Sequence, residues 1–130
     1  IITAESKGIP LAYEMARQAG TNDYVVARKG AKLYMDNIIT TDVNSITTDH
    51  VQTLCLGQKE ADLMHGKRIL IVDDVISTGE SLRSLEALVR QVGGNIVCRM
   101  TVLAEGEAAE RDDIIFLEKL PVFHADGTIK

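Results

Sequence analysis

Tryptophan is absent from this 130-residue chain, and aromatic residues of all kinds, three Tyr and two Phe, make up only 4% of it. Stacking platforms for single-stranded nucleic acid are therefore not expected. Positive charge is also short: 14 Lys and Arg stand against 19 Asp and Glu, a net charge of −5. That excludes a basic nucleic-acid footprint over the chain as a whole, and no nucleic-acid partner is expected. Cysteine is sparse. Cys55, within Thr53-Leu54-Cys55-Leu56, and Cys98, within Ile96-Val97-Cys98, make no disulfide framework. Both are expected to be small apolar core residues. No run approaches the roughly 18 apolar residues of a membrane span, so no membrane partner is expected. No signal-peptide pattern opens the chain, and the reducing cytoplasm is the expected compartment. Cys/His metal spacing, a catalytic triad and a zinc-protease motif are all missing. His50, His65 and His124 are scattered and take no assigned role.

What is present is a globular balance, 45% hydrophobic and 25% charged, which rules out bulk disorder. A chain of this length buries a core without disulfide or metal staples, and one domain over 1–130 is expected. It opens on Ile1-Ile2-Thr3-Ala4, as if inside a strand, so we expect an N-terminal portion to precede it. Glu5-Ser6-Lys7-Gly8 then forms a polar loop. Pro10 stands where a first-turn proline would, and Leu11, Met15 and Ala19 follow at helical spacing until Gly20. Tyr24-Val25-Val26-Ala27 has strand composition and ends in a basic cluster, Arg28, Lys29 and Lys32.

Residues 33–57 read as a long antiparallel arm. Its flanks, Leu33–Ile39 and Val51–Leu56, have strand character, and its tip, Thr40 to Asp49, is polar. A polar excursion of this length in a compact domain is expected to be functional or mobile. A helical turn over Lys59–Met64 follows. Arg68-Ile69-Leu70-Ile71-Val72 is a continuous apolar run, as in a strand buried on both faces, and is expected to break at Asp73-Asp74. Leu82, Leu85, Leu88, Val89 and Val92 recur at helical spacing until Gly93-Gly94. Strands over Ile96–Leu103 and Ile114–Leu117 complete an α/β pattern: a mostly parallel sheet flanked by helices.

Ligands of open parallel sheets bind beyond the carboxyl ends of the strands. Three polar loops fall there: 5–8, 28–32 and 73–81. The third runs Asp73-Asp74-Val75-Ile76-Ser77-Thr78-Gly79-Glu80-Ser81, from strand through two acids and a turn into a helix. N–H groups at the helix start, with the positive end of its dipole, make an anion cradle. Thr78 and Ser81 add hydroxyls, and Gly79 allows close backbone approach. Two carboxylates upstream suit sugar hydroxyls, whose protons they accept. Together these describe a ribose 5-phosphate site. The bland alternative, a solvated strand end followed by an ordinary helix start, remains open on spacing alone. Neither a Walker loop nor G-x-G-x-x-G occurs.

Residues Ile69–Ser81 closely resemble the phosphoribosyl pyrophosphate (PRPP) signature of the type I phosphoribosyltransferases. The resemblance extends to Ala4-Glu5-Ser6-Lys7-Gly8-Ile9-Pro10-Leu11-Ala12, which looks like the family's pyrophosphate loop. It also takes in Val25-Val26-Ala27-Arg28-Lys29 and the arm, which look like its second strand and mobile catalytic loop. Order and spacing suit the purine branch, related to the adenine and xanthine enzymes. This resemblance implies a type I phosphoribosyltransferase fold whose N-terminal hood lies outside this chain. It implies transfer of a 5-phosphoribosyl group from PRPP to a purine base, with release of pyrophosphate, in purine salvage.

By residue, it implies that Asp73 and Asp74 bind the ribose hydroxyls, partly through Mg²⁺-bound water, and that Ser77, Thr78, Gly79, Glu80 and Ser81 hold the 5-phosphate. Glu5, Ser6, Lys7 and Gly8 would present N–H groups to pyrophosphate, with a non-proline cis peptide at Ser6–Lys7. Arg28, Lys29 and Lys32 would offset pyrophosphate charge. For Lys7 and for this basic cluster, plain solvated loops are the alternative reading. Mg²⁺ is the implied cofactor and a homodimer the implied assembly. The family's Glu-Tyr pair at the loop tip is not seen in Asn44-Ser45-Ile46-Thr47-Thr48-Asp49, and Ala104-Glu105 stands where hypoxanthine-guanine members place a Lys. Asp49 and Glu105 are candidate general acids or bases, though each reads first as a solvated or structural acid. A PRPP-binding regulator of purine genes is the competing function, and a vestigial phosphate site the bland one.

Overall fold

A computed structural model describes residues 1–41 and 53–130. Its main sheet has five strands, parallel throughout, in the order β2-β1-β5-β6-β7. These are β1 (Ile2–Ala4), β2 (Val25–Ala27), β5 (Arg68–Ile76), β6 (Asn95–Glu105) and β7 (Ile115–Leu120). A two-stranded antiparallel ribbon, β3 (Ile39–Thr40) with β4 (Cys55–Leu56), lies between β2 and β5 in sequence. Three α-helices connect the strands: α1 (Ile9–Ala19), α2 (Gln58–Met64) and α3 (Glu80–Gln91). A 3₁₀ helix over Gly106–Glu110 links β6 to β7.

Each element follows from its residues. Pro10 occupies the first turn of α1, and Ala12 and Ala16 make its buried stripe. In α3 the buried residues Leu82, Leu85, Leu88 and Val89 repeat at three and four, the spacing of one helix face. They pack with Ile2, Ile69 and Ile71 into one core. Right-handed crossovers carry the chain from β1 to β2 in one direction and from β5 to β6 in the other, so α1 and α3 cover opposite faces.

Four expectations need correction. β5 does not break at Asp73-Asp74 but runs to Ile76, because β6 is long enough to pair with it as far as Ala104. Leu33–Ile39 is not a strand: only Ile39–Thr40 finds a partner, and Leu33 and Tyr34 are exposed. Val51 and Gln52 of the second flank lie outside the described residues, and within 53–56 only Cys55–Leu56 is strand. The cis peptide bond is Glu5–Ser6, one residue before the expected place. Cys55 is buried as expected, whereas Cys98 is only half-buried. The expected arm tip, with Asp49 and His50, lies outside the described residues. Its base joins the main sheet, where Arg28 N donates to Cys55 O at 2.9 Å and Cys55 N donates to Arg28 O at 2.7 Å. Among the described residues no helix is long and apolar enough to cross a membrane.

Leu85 is fully buried, whereas Leu117 is 80% exposed on the edge strand. Leu85→Ala should therefore cost about 2–5 kcal/mol in denaturant unfolding. Leu117→Ala should change stability by less than about 0.5 kcal/mol.

Candidate functional site

β1 and β5 are neighbours, yet their register joins only Ile2 and Ile71. Beyond that point Glu5 N turns to Ala27 O of β2 at 3.0 Å, while β5 continues along β6. The strand order reverses here, and a cavity of about 270 Å³ opens between the two carboxyl ends. Ala4, Glu5, Ser6, Lys7, Lys29, Asp73, Asp74, Val75 and Ser81 line it. The three loops picked out in the sequence thus meet in one place.

The first loop supplies donors. Among the described residues, nothing accepts from the N–H groups of Ser6, Lys7 or Gly8, while Ile9 N is taken by Ser6 O at 3.2 Å. Ser6 and Lys7 line the cavity, whereas the buried Gly8 does not; backbone amides left without acceptors are available to an anion. Gly8 caps α1 and is buried. A β-carbon there would fall 2.1 Å from Thr3 Oγ1 and 3.4 Å from Asp73 Oδ1. The loop therefore packs directly on β1 and against the acid of β5, which only glycine permits. Thr3, wholly buried in an apolar strand, is a positioning residue that the sequence reading missed. Its polarity amid apolar neighbours was the available signal.

The second loop is held by Glu5. Its carboxylate accepts from Lys29 N at 2.6 Å and from Arg28 Nη1 at 3.3 Å. That backbone donor, then the Arg28 guanidinium and the charge of Lys32, hold Glu5 below the usual carboxylate range. Arg28 is accordingly paired within the protein, and Lys29 is the basic side chain of this loop that faces the cavity. Neither Arg28 nor Lys32 lines it.

The third loop carries the acids. Asp73 Oδ1 accepts from Asp74 N at 2.8 Å. Burial first, and then the Asp74 carboxyl beside it, push Asp73 up to about 7, against the pull of Lys29. An acid in this state favours a neighbouring cation or a hydroxyl that donates to it. Past Ile76, nothing among the described residues accepts from the N–H groups of Ser77, Thr78 or Gly79. Glu80 N donates weakly to Thr78 Oγ1 at 3.4 Å. Gly79 has φ +84°, a conformation that strains any other residue. Ser81 reaches the cavity, while Ser77, Thr78, Gly79 and Glu80 do not line it. Ser77 Oγ donates to Glu105 Oε1 at 2.8 Å, so Glu105 is tied to the turn. His65 sits with its Nδ1 3.0 Å from Val92 O.

The chain matches the family model "Phosphoribosyl transferase domain" over residues 1–127. It belongs to the phosphoribosyltransferase domain family. It is 29% identical over 96 residues to a xanthine phosphoribosyltransferase of Bacillus thuringiensis (strain Al Hakam), covering 74% of this chain and 48% of that protein. The chain thus spans about half the length of the curated relatives it matches. Among solved structures it is similar to the adenine phosphoribosyltransferase of Thermoanaerobacter pseudethanolicus. The TM-score is 0.72 over 92% of this chain and 68% of that one, at 23% identity. It is also similar to the adenine phosphoribosyltransferase of Trypanosoma brucei in complex with AMP, pyrophosphate and ribose-5-phosphate. There the TM-score is 0.70 over 91% of this chain and 54% of that one, at 19% identity. At such identities the likeness is one of fold, and it places this phosphoribosyltransferase domain among α/β proteins of the type I architecture.

Two outcomes are expected. Gly8→Ala should destabilise the domain by about 1–3 kcal/mol through overlap with Thr3. Adding Thr3→Ala, which removes the oxygen in the way, should make the pair less costly than the sum of the two single changes in a double-mutant cycle. Separately, folded Asp73 titrates near 7, against about 3.9 when unfolded. The folded state therefore binds more protons between these values, and stability falls as pH rises through that window. Asp73→Asn should melt a few degrees higher than the parent at pH 8 and equally at pH 3.

Proposed function

We propose that this domain is the PRPP-binding core of a purine phosphoribosyltransferase, transferring a 5-phosphoribosyl group to a base of adenine or xanthine type in purine salvage. One observation carries the reading: a single cavity joins acceptor-free amides of the 5–8 loop, Lys7, Lys29, the Asp73-Asp74 pair and Ser81. A diphosphate needs amides and cations, and a diol needs carboxylates. Both sets face the same space. The family match and relatives named for xanthine and adenine support the same class.

Asp73 and Asp74 accept from the two ribose hydroxyls and fix the ring, while the 77–81 turn anchors the 5-phosphate at the start of α3. The amides of Ser6, Lys7 and Gly8 meet the pyrophosphate, with Lys7 and Lys29 offsetting its charge. The base nitrogen attacks C1 as the C1–O bond to pyrophosphate breaks; the electron pair leaves with pyrophosphate, and the proton of the base nitrogen passes to solvent. The residues on that side stabilise charge that grows in the transition state.

Mg²⁺ fits this donor set only in part. Two adjacent carboxylates are present, but among the described residues no cluster of three or more His, Cys, Asp or Glu could hold a metal. Asp73 and Asp74 would be the residues to hold it, through water. The ion would supply charge neutralisation for pyrophosphate. In this reading the enzyme is a cytoplasmic homodimer. The regulator alternative draws no support from these relatives.

The test is pyrophosphate release by the full-length protein given PRPP, Mg²⁺ and each of adenine, xanthine, hypoxanthine and guanine. Turnover with at least one base is expected, with Asp74→Asn lowering kcat/KM for PRPP at least tenfold. Failure with all four bases would overturn the reading. PRPP affinity should also rise with pH up to about 7 and then level off, since the ionised Asp73 carboxylate accepts from a hydroxyl more strongly than the protonated group does. Asp73→Asn should flatten that profile.

A further inference from the structure

We infer that Arg111, in the connection between β6 and β7, supplies a charge-assisted donor, its Nη1, that holds a phosphate monoester on the Ser77-Thr78-Gly79 turn. This rests on the phosphoribosyl reading above.

The turn has a charge deficit of its own making. It contains neither Lys nor Arg, and acids flank it: Asp73 and Asp74 before, Glu80 after, and Glu105 bonded to Ser77 Oγ. A phosphate monoester carries a charge of about −1.5 to −2 at neutral pH. A helix N-terminus offers the equivalent of about +0.5. The amides and the dipole of α3 therefore leave most of that charge uncompensated. Lys7 and Lys29 line the cavity with the loops that follow β1 and β2, the pyrophosphate side of the proposed site.

Arg111 reaches the turn from the other direction. Its Nη1 lies 3.0 Å from where a β-carbon on Gly79 would stand. The rest of the guanidinium is fixed: Nε donates to Asp113 Oδ1 at 2.8 Å and Nη2 to Asp113 Oδ2 at 2.6 Å. This bidentate fork sets the plane of the group, and Nη1 donates to nothing among the described residues. The side chain is two-thirds buried, and the Asp113 carboxylate offsets part of its charge, so what it brings to the turn is the free, charge-assisted Nη1 donor. Glycine at 79 thus serves two ends. It takes the left-handed backbone, and it leaves room for a guanidinium beside the turn. In sequence, Arg111 lies 32 positions beyond Gly79 among Glu107, Glu110, Asp112 and Asp113, where it reads as one more surface ion pair.

The experiment is calorimetric titration of the chain with ribose 5-phosphate, and separately with pyrophosphate, both with MgCl₂ and at low and high salt. The parent protein should bind both. Arg111→Met should weaken ribose 5-phosphate about tenfold, the scale of one charge-assisted contact. It should leave pyrophosphate within twofold and flatten the salt dependence of ribose 5-phosphate binding. Arg111→Lys should recover part of the loss. Asp113→Asn keeps the charge but loosens its anchor, and should bind ribose 5-phosphate within threefold of the parent. Unchanged binding by Arg111→Met would overturn the inference. So would an equal loss in Asp113→Asn with the parent's salt dependence intact, since Arg111 would then act only as a brace. Should Arg111→Met not fold, Arg111→Lys and Asp113→Asn carry the same decision. A parent protein that binds neither ligand would overturn the phosphoribosyl reading itself, and this inference with it.

Discussion

The contact between Gly8, Thr3 and Asp73 sets the geometry on which the rest of the site depends. With no side chain at Gly8, the loop after β1 comes down onto β1 itself and against the first acid of β5. That brings an amide-rich loop and a carboxylate pair to one cavity although they lie some seventy residues apart in sequence. Such packing leaves little freedom, because protein interiors do not absorb even a methylene without cost. The spacing between the proposed pyrophosphate and ribose contacts is therefore fixed by steric contact, not by a flexible loop. Rigid placement of this kind lets fixed donors stabilise developing charge without reorganising first.

The sheet makes that contact useful by parting its strands at one point. β1 pairs with β2 throughout but with β5 at a single position, and the chain turns outward on either side of the gap. Extension of β5 through Asp73 and Asp74 is the counterpart. Asp73 pairs with Thr101 of β6 within the extended strand, and both acids line the cavity at the gap. The cost appears at Asp73, which burial and its neighbour hold protonated to near neutral pH. Polar groups kept in such a state are offset elsewhere in the fold and await a partner that relieves them.

Much of this was legible in the residues, and the reasons for the rest are physical. Strands, helices and the three loops follow from local patterns: the apolar run at 68–72, the helical repeat from Leu82 to Val89, and Pro10 at a helix start. The acids at 73–74 read locally as a strand end, because nothing nearby in sequence reveals that β6 pairs with them as far as Ala104. Leu33–Ile39 has strand composition without a strand's partner, and composition alone does not provide one. The pairing of Glu5 with Arg28 and Lys29 was invisible for the same reason. It joins residues twenty-three and twenty-four positions apart, and it removes Arg28 from the set of charges that face the cavity. Thr3, Glu105 and Arg111 act only through tertiary contact and carry no motif.

An acidic chain that binds anions looks contradictory only if charge is counted rather than placed. The net charge of −5 sums groups that mostly face water, where screening cuts their influence beyond about 10 Å. Inside the site the sum is different. Glu5 is matched by Arg28 and a backbone donor, so the first two loops present Lys7, Lys29 and backbone amides without an opposing acid of their own. The remaining carboxylates, at 73 and 74, stand where hydroxyls rather than phosphates are proposed to lie. At the far end Glu80 and Glu105 stand beside the 77–79 turn, and the Nη1 of Arg111, whose other nitrogens are held by Asp113, is proposed to add a charge-assisted donor there. Attraction at both phosphate positions and acceptance at the sugar between them then follow from position alone, whatever the sign of the whole molecule.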